Sequence, residues 1–144
     1  MTVKFTVYGR PAQQGSKSAF LHRGRVVLVE SNHQRKVEWR QAVANVALAE
    51  MVGRELLTGP VQLEVVFRFK RPRSHYRTGK HANVLKGSAP MFHAQTPDLD
   101  KLVRNVGDAL SGIVYKDDSQ ISVLVAEKRW SEIDGADVTV SKCS

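Results

Sequence analysis

Val61, Leu63, Val65, Phe67 and Phe69 recur at every second position, with Gln62, Glu64 and Arg68 among the residues between them. Successive side chains of an extended chain point to opposite faces, whereas a helix would scatter this set around its axis. The run therefore predicts a strand with one buried face, and such a strand needs partners. Val3, Phe5 and Val7 alternate in the same way over residues 3–8. Residues 26–29, 120–127 and 136–140 supply shorter extended runs. The period changes between Asp98 and Gly112, where Leu99, Leu102, Val103, Val106, Ala109, Leu110 and Ile113 fall at helical spacing on one face. A second helix is expected from a cap at Ser31 or Asn32 to Met51 or Val52, with Val37, Ala44, Leu48 and Met51 along its buried side. The expected fold class is α+β: a single domain over residues 1–144, with a small mixed sheet holding all the strands and two main helices.

Two segments fit neither period. Gly9–Gly24 is rich in Gly, Pro, Ser and Gln and carries Lys17 and Arg23, with Arg25 just beyond, so it reads as a mobile basic loop. Residues 71–96 form a long polar stretch, and loops of that length inside a compact domain are commonly functional or disordered.

At 144 residues the chain is long enough to bury roughly two-thirds of its unfolded surface. Its one cysteine, Cys143, excludes an intrachain disulfide and gives no sign of a cysteine-based metal site. No apolar run approaches the roughly 20 residues of a membrane span, and the N-terminal residues alternate rather than forming a signal peptide's apolar stretch. A reducing cytoplasm is the expected location.

Charge is segregated. The net charge is +8, no acid precedes Glu30, and none lies between Glu64 and Asp98. Five of the fourteen acids then fall within 21 residues: Asp98, Asp100, Asp108, Asp117 and Asp118. At about 100° per residue, Asp100, Arg104 and Asp108 share the polar face of the helix, opposite its Leu/Val stripe. Each acid has a structural reading: Asp98 as a helix cap, Asp100 and Asp108 as partners of Arg104, Asp117-Asp118 as a turn before a strand. Capping needs only one acid, however, and this helix start carries two. A hard divalent cation takes oxygen ligands converging from different segments, and a basic surface holds a polyanion. Together these features suit a Mg²⁺-dependent enzyme acting on phosphodiesters.

The run Pro97-Asp98-Leu99-Asp100-Lys101-Leu102, then Arg104, Asp108-Ala109-Leu110 and Asp117-Asp118-Ser119-Gln120-Ile121 resembles the signature of the RusA family of Holliday-junction resolvases. The resemblance implies a homodimeric Mg²⁺- or Mn²⁺-dependent endonuclease that acts on four-way or branched DNA in recombination and repair. It needs no small-molecule cofactor and no membrane, and works in the cytoplasm of a bacterial host, often from a phage or prophage gene. Carried over by position, Asp98, Asp100 and Asp118 are the metal-binding catalytic carboxylates, Asp117 supports them, and Asp108 stands behind them. Two positions depart from the pattern: Lys101 replaces an Asn, and Arg104 replaces a catalytic Lys. Arg104 keeps the positive charge but cannot readily give up a proton, so a charge-stabilising role is expected of it.

Resolving a junction takes two incisions related by a two-fold axis, which a C₂ dimer supplies. Lys17, Arg23 and Arg25 in the first basic segment, and Arg71, Arg73, Arg77 and Lys80 in the second, are the candidates for holding DNA arms. His93, five residues before Asp98, reads either as a solvated loop residue or as a contact to the site. Trp39 and Trp130 read as packing residues. The alternative function is a basic, junction-binding protein of the same fold with little catalysis, and the Arg at position 104 is its support.

Overall fold

The computed structural model describes residues 1–15, 17–30 and 33–143, the side chains of 17–20 and 27–30 excepted. In chain order it holds β1 (Thr2–Tyr8), β2 (Lys17–His22), β3 (Arg25–Glu30), α1 (His33–Glu50), β4 (Val61–Lys70), α2 (Leu99–Leu110), β5 (Ile121–Ser131) and β6 (Gly135–Lys142). The α+β class stands, but the strands do not all join one sheet. Four form a mixed sheet in the order β1-β6-β4-β5, while β2 and β3 form a separate hairpin. The second half of the expected basic loop is therefore one arm and the turn of a hairpin. Arg23 and Gly24 both have positive φ (52° and 76°), the conformation a two-residue turn between right-twisted strands requires.

In the main sheet β1 and β4 each run antiparallel to β6, and β4 runs parallel to β5. Parallel neighbours need a crossover, and the segment carrying α2 supplies it. The odd-numbered face of β4 is buried, as its alternation predicts, against Val3, Phe5 and Val7 of β1 and Ala136, Val138 and Val140 of β6 in one core. Burying each of these larger side chains contributes roughly 1.5–3 kcal/mol. Gly135 opens β6 where no side chain fits, since a Cβ there would lie 2.8 Å from the Val7 carbonyl.

Both helices pack on that core. α2 buries Leu102, Val106, Ala109 and Leu110, as its stripe predicts. α1 departs from expectation: its buried residues are Lys36, Trp39, Val43 and Ala47, whereas Val37 and Leu48 are exposed. Apolar residues encircle this helix, so periodicity alone could not select the face that packs. The expected cap at Ser31 or Asn32 lies outside the described residues.

The segment after β4 contains two single 3₁₀ turns, Arg73–His75 and Gly79–His81. An aromatic stack anchors it to the sheet. His93 lies between Phe69 and Trp130, with ring centroids 4.7 and 4.1 Å away, and His75 meets Trp130 edge-on at 4.9 Å. Arg71 lies over the Trp130 ring and donates to the Pro90 carbonyl at 2.7 Å. His93 is thus a buried packing residue, and burial followed by the nearby Lys128 charge lowers its pKa. A histidine whose folded-state pKa is depressed adds stability above its ordinary value, and that stability is lost as pH falls through the folded value. Thermal unfolding scans are therefore expected to show a Tm that drops as pH is lowered beneath the ordinary histidine range. His93→Phe should flatten that slope, and an unchanged slope would reject the assignment.

Candidate active site

Asp98 occupies the N-cap position of α2, yet its side chain makes no capping hydrogen bond. Its surroundings hold it by other means. The Asp98 backbone N–H donates to Gln13 Oε1 at 2.6 Å, and Lys101 Nζ stands 3.2 Å from Asp98 Oδ2. Lys128 reaches from β5 to donate to the carbonyls of Gln95 and Pro97. Asp100 and Arg104 are exposed on the same helix face.

The second acidic segment meets the other end of that face. Asp118, although exposed, has its pKa raised, first by desolvation and then by the charges of Asp117 and Asp108, with Asp108 close enough to hydrogen-bond. Asp117 behaves in the opposite way: hydrogen bonding to Ser119 lowers its pKa and ties it into the turn. Tyr115 lies near all three acids; burial and their charges keep its phenol protonated, and it donates to the Gly107 carbonyl at 2.9 Å. Gln120 clips this turn in place. Its Nε2 donates to the carbonyls of Leu57 and Gly59, both at 3.0 Å, and its Oε1 accepts from Lys116 N–H at 2.9 Å and Asp117 N–H at 3.1 Å.

A polar network joins α2 to the rest of the fold. Asn105 is fully buried and donates to the carbonyls of Ala12 (3.0 Å) and Lys36 (3.3 Å). Its Oδ1 accepts from Arg40 Nε at 2.9 Å, and Arg40 Nη2 reaches Gln14 Oε1 at 3.0 Å and Asp108 Oδ2 at 3.4 Å. Asp108 therefore stands between Asp118 and the Arg40 guanidinium.

The expected carboxylates thus fall into two groups along α2. Asp98 and Asp100 stand at its start, and Asp108 meets Asp118 two turns further on, about 12 Å along the axis from Asp100. Arg104 lies one turn from each. No three His, Cys, Asp or Glu among the described residues stand close enough to hold one ion together. The donors nevertheless suit a hard divalent cation: Mg²⁺ keeps several waters and takes only one or two carboxylates, and it would relieve the crowding of Asp108 and Asp118.

Of the expected DNA contacts, Arg23, Arg25, Arg73, Arg77 and Lys80 are exposed, and the side chain of Lys17 lies outside the described residues. Arg71 is half-buried, and its guanidinium lies over Trp130 and donates to the Pro90 carbonyl, so it also anchors the segment. Sequence reading missed Gln13, Lys128 and the Asn105–Arg40 network, and quoted Gln120 in the family-like run without giving it a role. Lys128 carried a signal, as a charge on the strand face otherwise occupied by Leu124, Ala126 and Trp130.

An α+β domain with Asp98 at the start of α2, Asp100 and Asp108 on its polar side and Asp117-Asp118 on the turn beside it, bordered by exposed cations, has the chemistry to handle a polyanionic backbone. The family model described as Endodeoxyribonuclease RusA matches residues 10–141. The chain belongs to the RusA endodeoxyribonuclease family. A Bacillus subtilis (strain 168) protein described as "Uncharacterized protein YqaN" is 32% identical over 143 residues, covering 99% of this chain and 97% of that one.

Proposed function

We propose that this protein is a metal-dependent endonuclease that resolves four-way or branched DNA by paired, symmetric phosphodiester hydrolysis, serving recombination and repair in the cytoplasm. Family membership supports the nuclease reading. The observation that carries the assignment of the site is Asp98: it holds a cap position without capping, and its carboxylate faces Lys101 instead of the helix N–H groups. No helix among the described residues is long and apolar enough to cross a membrane.

Asp98 and Asp100 would hold a Mg²⁺ or Mn²⁺ ion at the start of α2, and Asp118, with Asp108 beside it, would hold one at the other end, water completing each shell. Asp117, tied into its turn, would orient the segment. When bound, the ion lowers the pKa of water and stabilises a departing oxygen. The chain's own part is placement and charge. Gln13 and Lys128 fix the backbone on either side of the Pro97–Asp98 peptide bond, and Gln120 fixes the turn that presents Asp118. Arg104 neutralises charge developing on the phosphate, and Lys101 holds the Asp98 carboxylate in place. Arg23, Arg25, Arg73, Arg77 and Lys80 hold the DNA backbone and carry no sequence information themselves. The test is a labelled synthetic four-way junction incubated with the protein in Mg²⁺ and in EDTA. Paired symmetric nicks that vanish in EDTA are expected; tight binding without cutting in Mg²⁺ or Mn²⁺ would favour the junction-binding alternative.

A homodimer, which paired incision would need, has a candidate surface. β5 is an edge strand, and Val123, Leu124 and Val125 on it are 43%, 50% and 52% exposed. Sheets that remain monomeric avoid three consecutive apolar residues on an open edge. Antiparallel pairing of two β5 strands about Leu124 would set Val123 of each copy against Val125 of the other and cover both faces. Val125→Lys is expected to convert the dimer to a folded monomer in light scattering, with paired cleavage replaced by single nicks. A dimer that survives the substitution would place the contact elsewhere.

A further inference from the structure

A cleft of about 720 Å³ opens beside Asp98, between the end of β1 with the segment following it, the first half of α1, and Thr96-Pro97. That size lies within the roughly 300–1,000 Å³ of sites that enclose small organic groups. Its walls are mostly apolar, including Pro11, Trp39 and Ala42, and Arg10 and Arg35 are exposed on its lining. The one carboxylate on the lining, Glu38, accepts from Gln34 Nε2 at 2.7 Å.

The cleft shares a wall with the site. Gln13 lines it and accepts the Asp98 N–H, and Pro97 lines it and precedes Asp98 directly. Its other walls are tied together, because Asn105 bonds the carbonyls of both Ala12 and Lys36. An occupant would therefore be held at a fixed place relative to the carboxylates. Apolar walls suit a flat ring, guanidinium groups suit a phosphate, and together they suit one nucleotide.

We infer that this cleft receives an unpaired DNA nucleotide adjacent to the phosphate that is cut; the inference rests on the endonuclease reading above. A base in continuous duplex is stacked and paired, so it enters only after extrusion, at a cost of a few kcal/mol that is least where pairing is already broken. At the branch point of a junction the stacking between arms is interrupted, which lowers that cost. The cleft thus discriminates branched DNA from plain duplex without reading a base edge.

The test uses a four-way junction carrying 2-aminopurine at the nucleotides flanking the mapped cut, bound in Ca²⁺ to separate binding from cleavage. Unstacking into the cleft raises the fluorescence. Ala42→Trp, which fills the cleft without touching an aspartate, is expected to abolish the rise. In Mg²⁺ it should slow junction cleavage by about tenfold or more, the order of one nucleotide's stacking energy. Arg35→Glu, an exposed change, keeps the test in force if Ala42→Trp does not fold: it should weaken junction binding more than duplex binding. Tight junction binding with unchanged wild-type fluorescence, a fully active Ala42→Trp, or an equal loss on both DNAs for Arg35→Glu would each overturn the subsite and leave the endonuclease reading intact. A wild-type protein that neither binds nor cuts junctions would overturn both.

Discussion

Asp118→Asn is expected to lower junction cleavage by about a thousandfold or more, the loss that follows when one group of a charge-stabilising site is removed, while junction binding persists. Asp117→Asn should cost far less, because that side chain is bonded into its own turn. Asp118→Asn should also raise the Tm at neutral pH. The fold raises the pKa of Asp118, chiefly by desolvation and then by Asp117 and Asp108, so the folded state disfavours its ionised form relative to the unfolded chain. The gain is present where the carboxyl is ionised and vanishes in acid below the ordinary aspartate range, where both states are protonated. Gel assays of cleavage and binding, with melting curves at both pH extremes, read all three effects. Equal losses for the two neighbours would show that they act as one unit.

Asn105→Leu is expected to be among the most destabilising substitutions outside the apolar core. It keeps the volume but removes the partner of the part-buried Ala12 carbonyl and of Arg40 Nε, and a second bond to the buried Lys36 carbonyl. Stranding buried polar groups costs about 3–4 kcal/mol, a fall of roughly 8–15 °C in Tm. Leu63→Ala in the core should cost a similar amount through a cavity. The two separate in function. Well below both melting points Leu63→Ala should still cut junctions, whereas Asn105→Leu should be slowed because the segment bearing Gln13 loses its anchor beside Asp98. If both variants cut equally well, the network is structural only.

Residues repeated along one element were legible from the sequence. The strand at 61–69, the helix from Asp98 and its acidic face emerge from two periods, because side-chain direction within an element follows from backbone geometry alone. The RusA-like run from Pro97 to Ile121 was equally visible, and the family match over residues 10–141 extends it across most of the chain. α1 shows where this stops: with apolar residues all round, its buried side is set by what packs against it.

The hairpin of β2 and β3 and the aromatic stack under the long segment were not legible either, since each depends on pairings between residues whose separation carries no periodic signal. Asn105 is the sharpest case. In the sequence it is one more polar residue on an amphipathic helix; in the fold it is fully buried and joins α2 to α1 and to the segment after β1. The sequence by itself determined the elements and the identity of the acids, because local geometry and side-chain chemistry are properties of the chain. Only the tertiary structure decided which acids meet, leaving Asp98 and Asp100 at one end of α2 and bringing Asp118 to Asp108 at the other. Proximity between distant segments is set by packing and buried hydrogen bonds that no single segment contains.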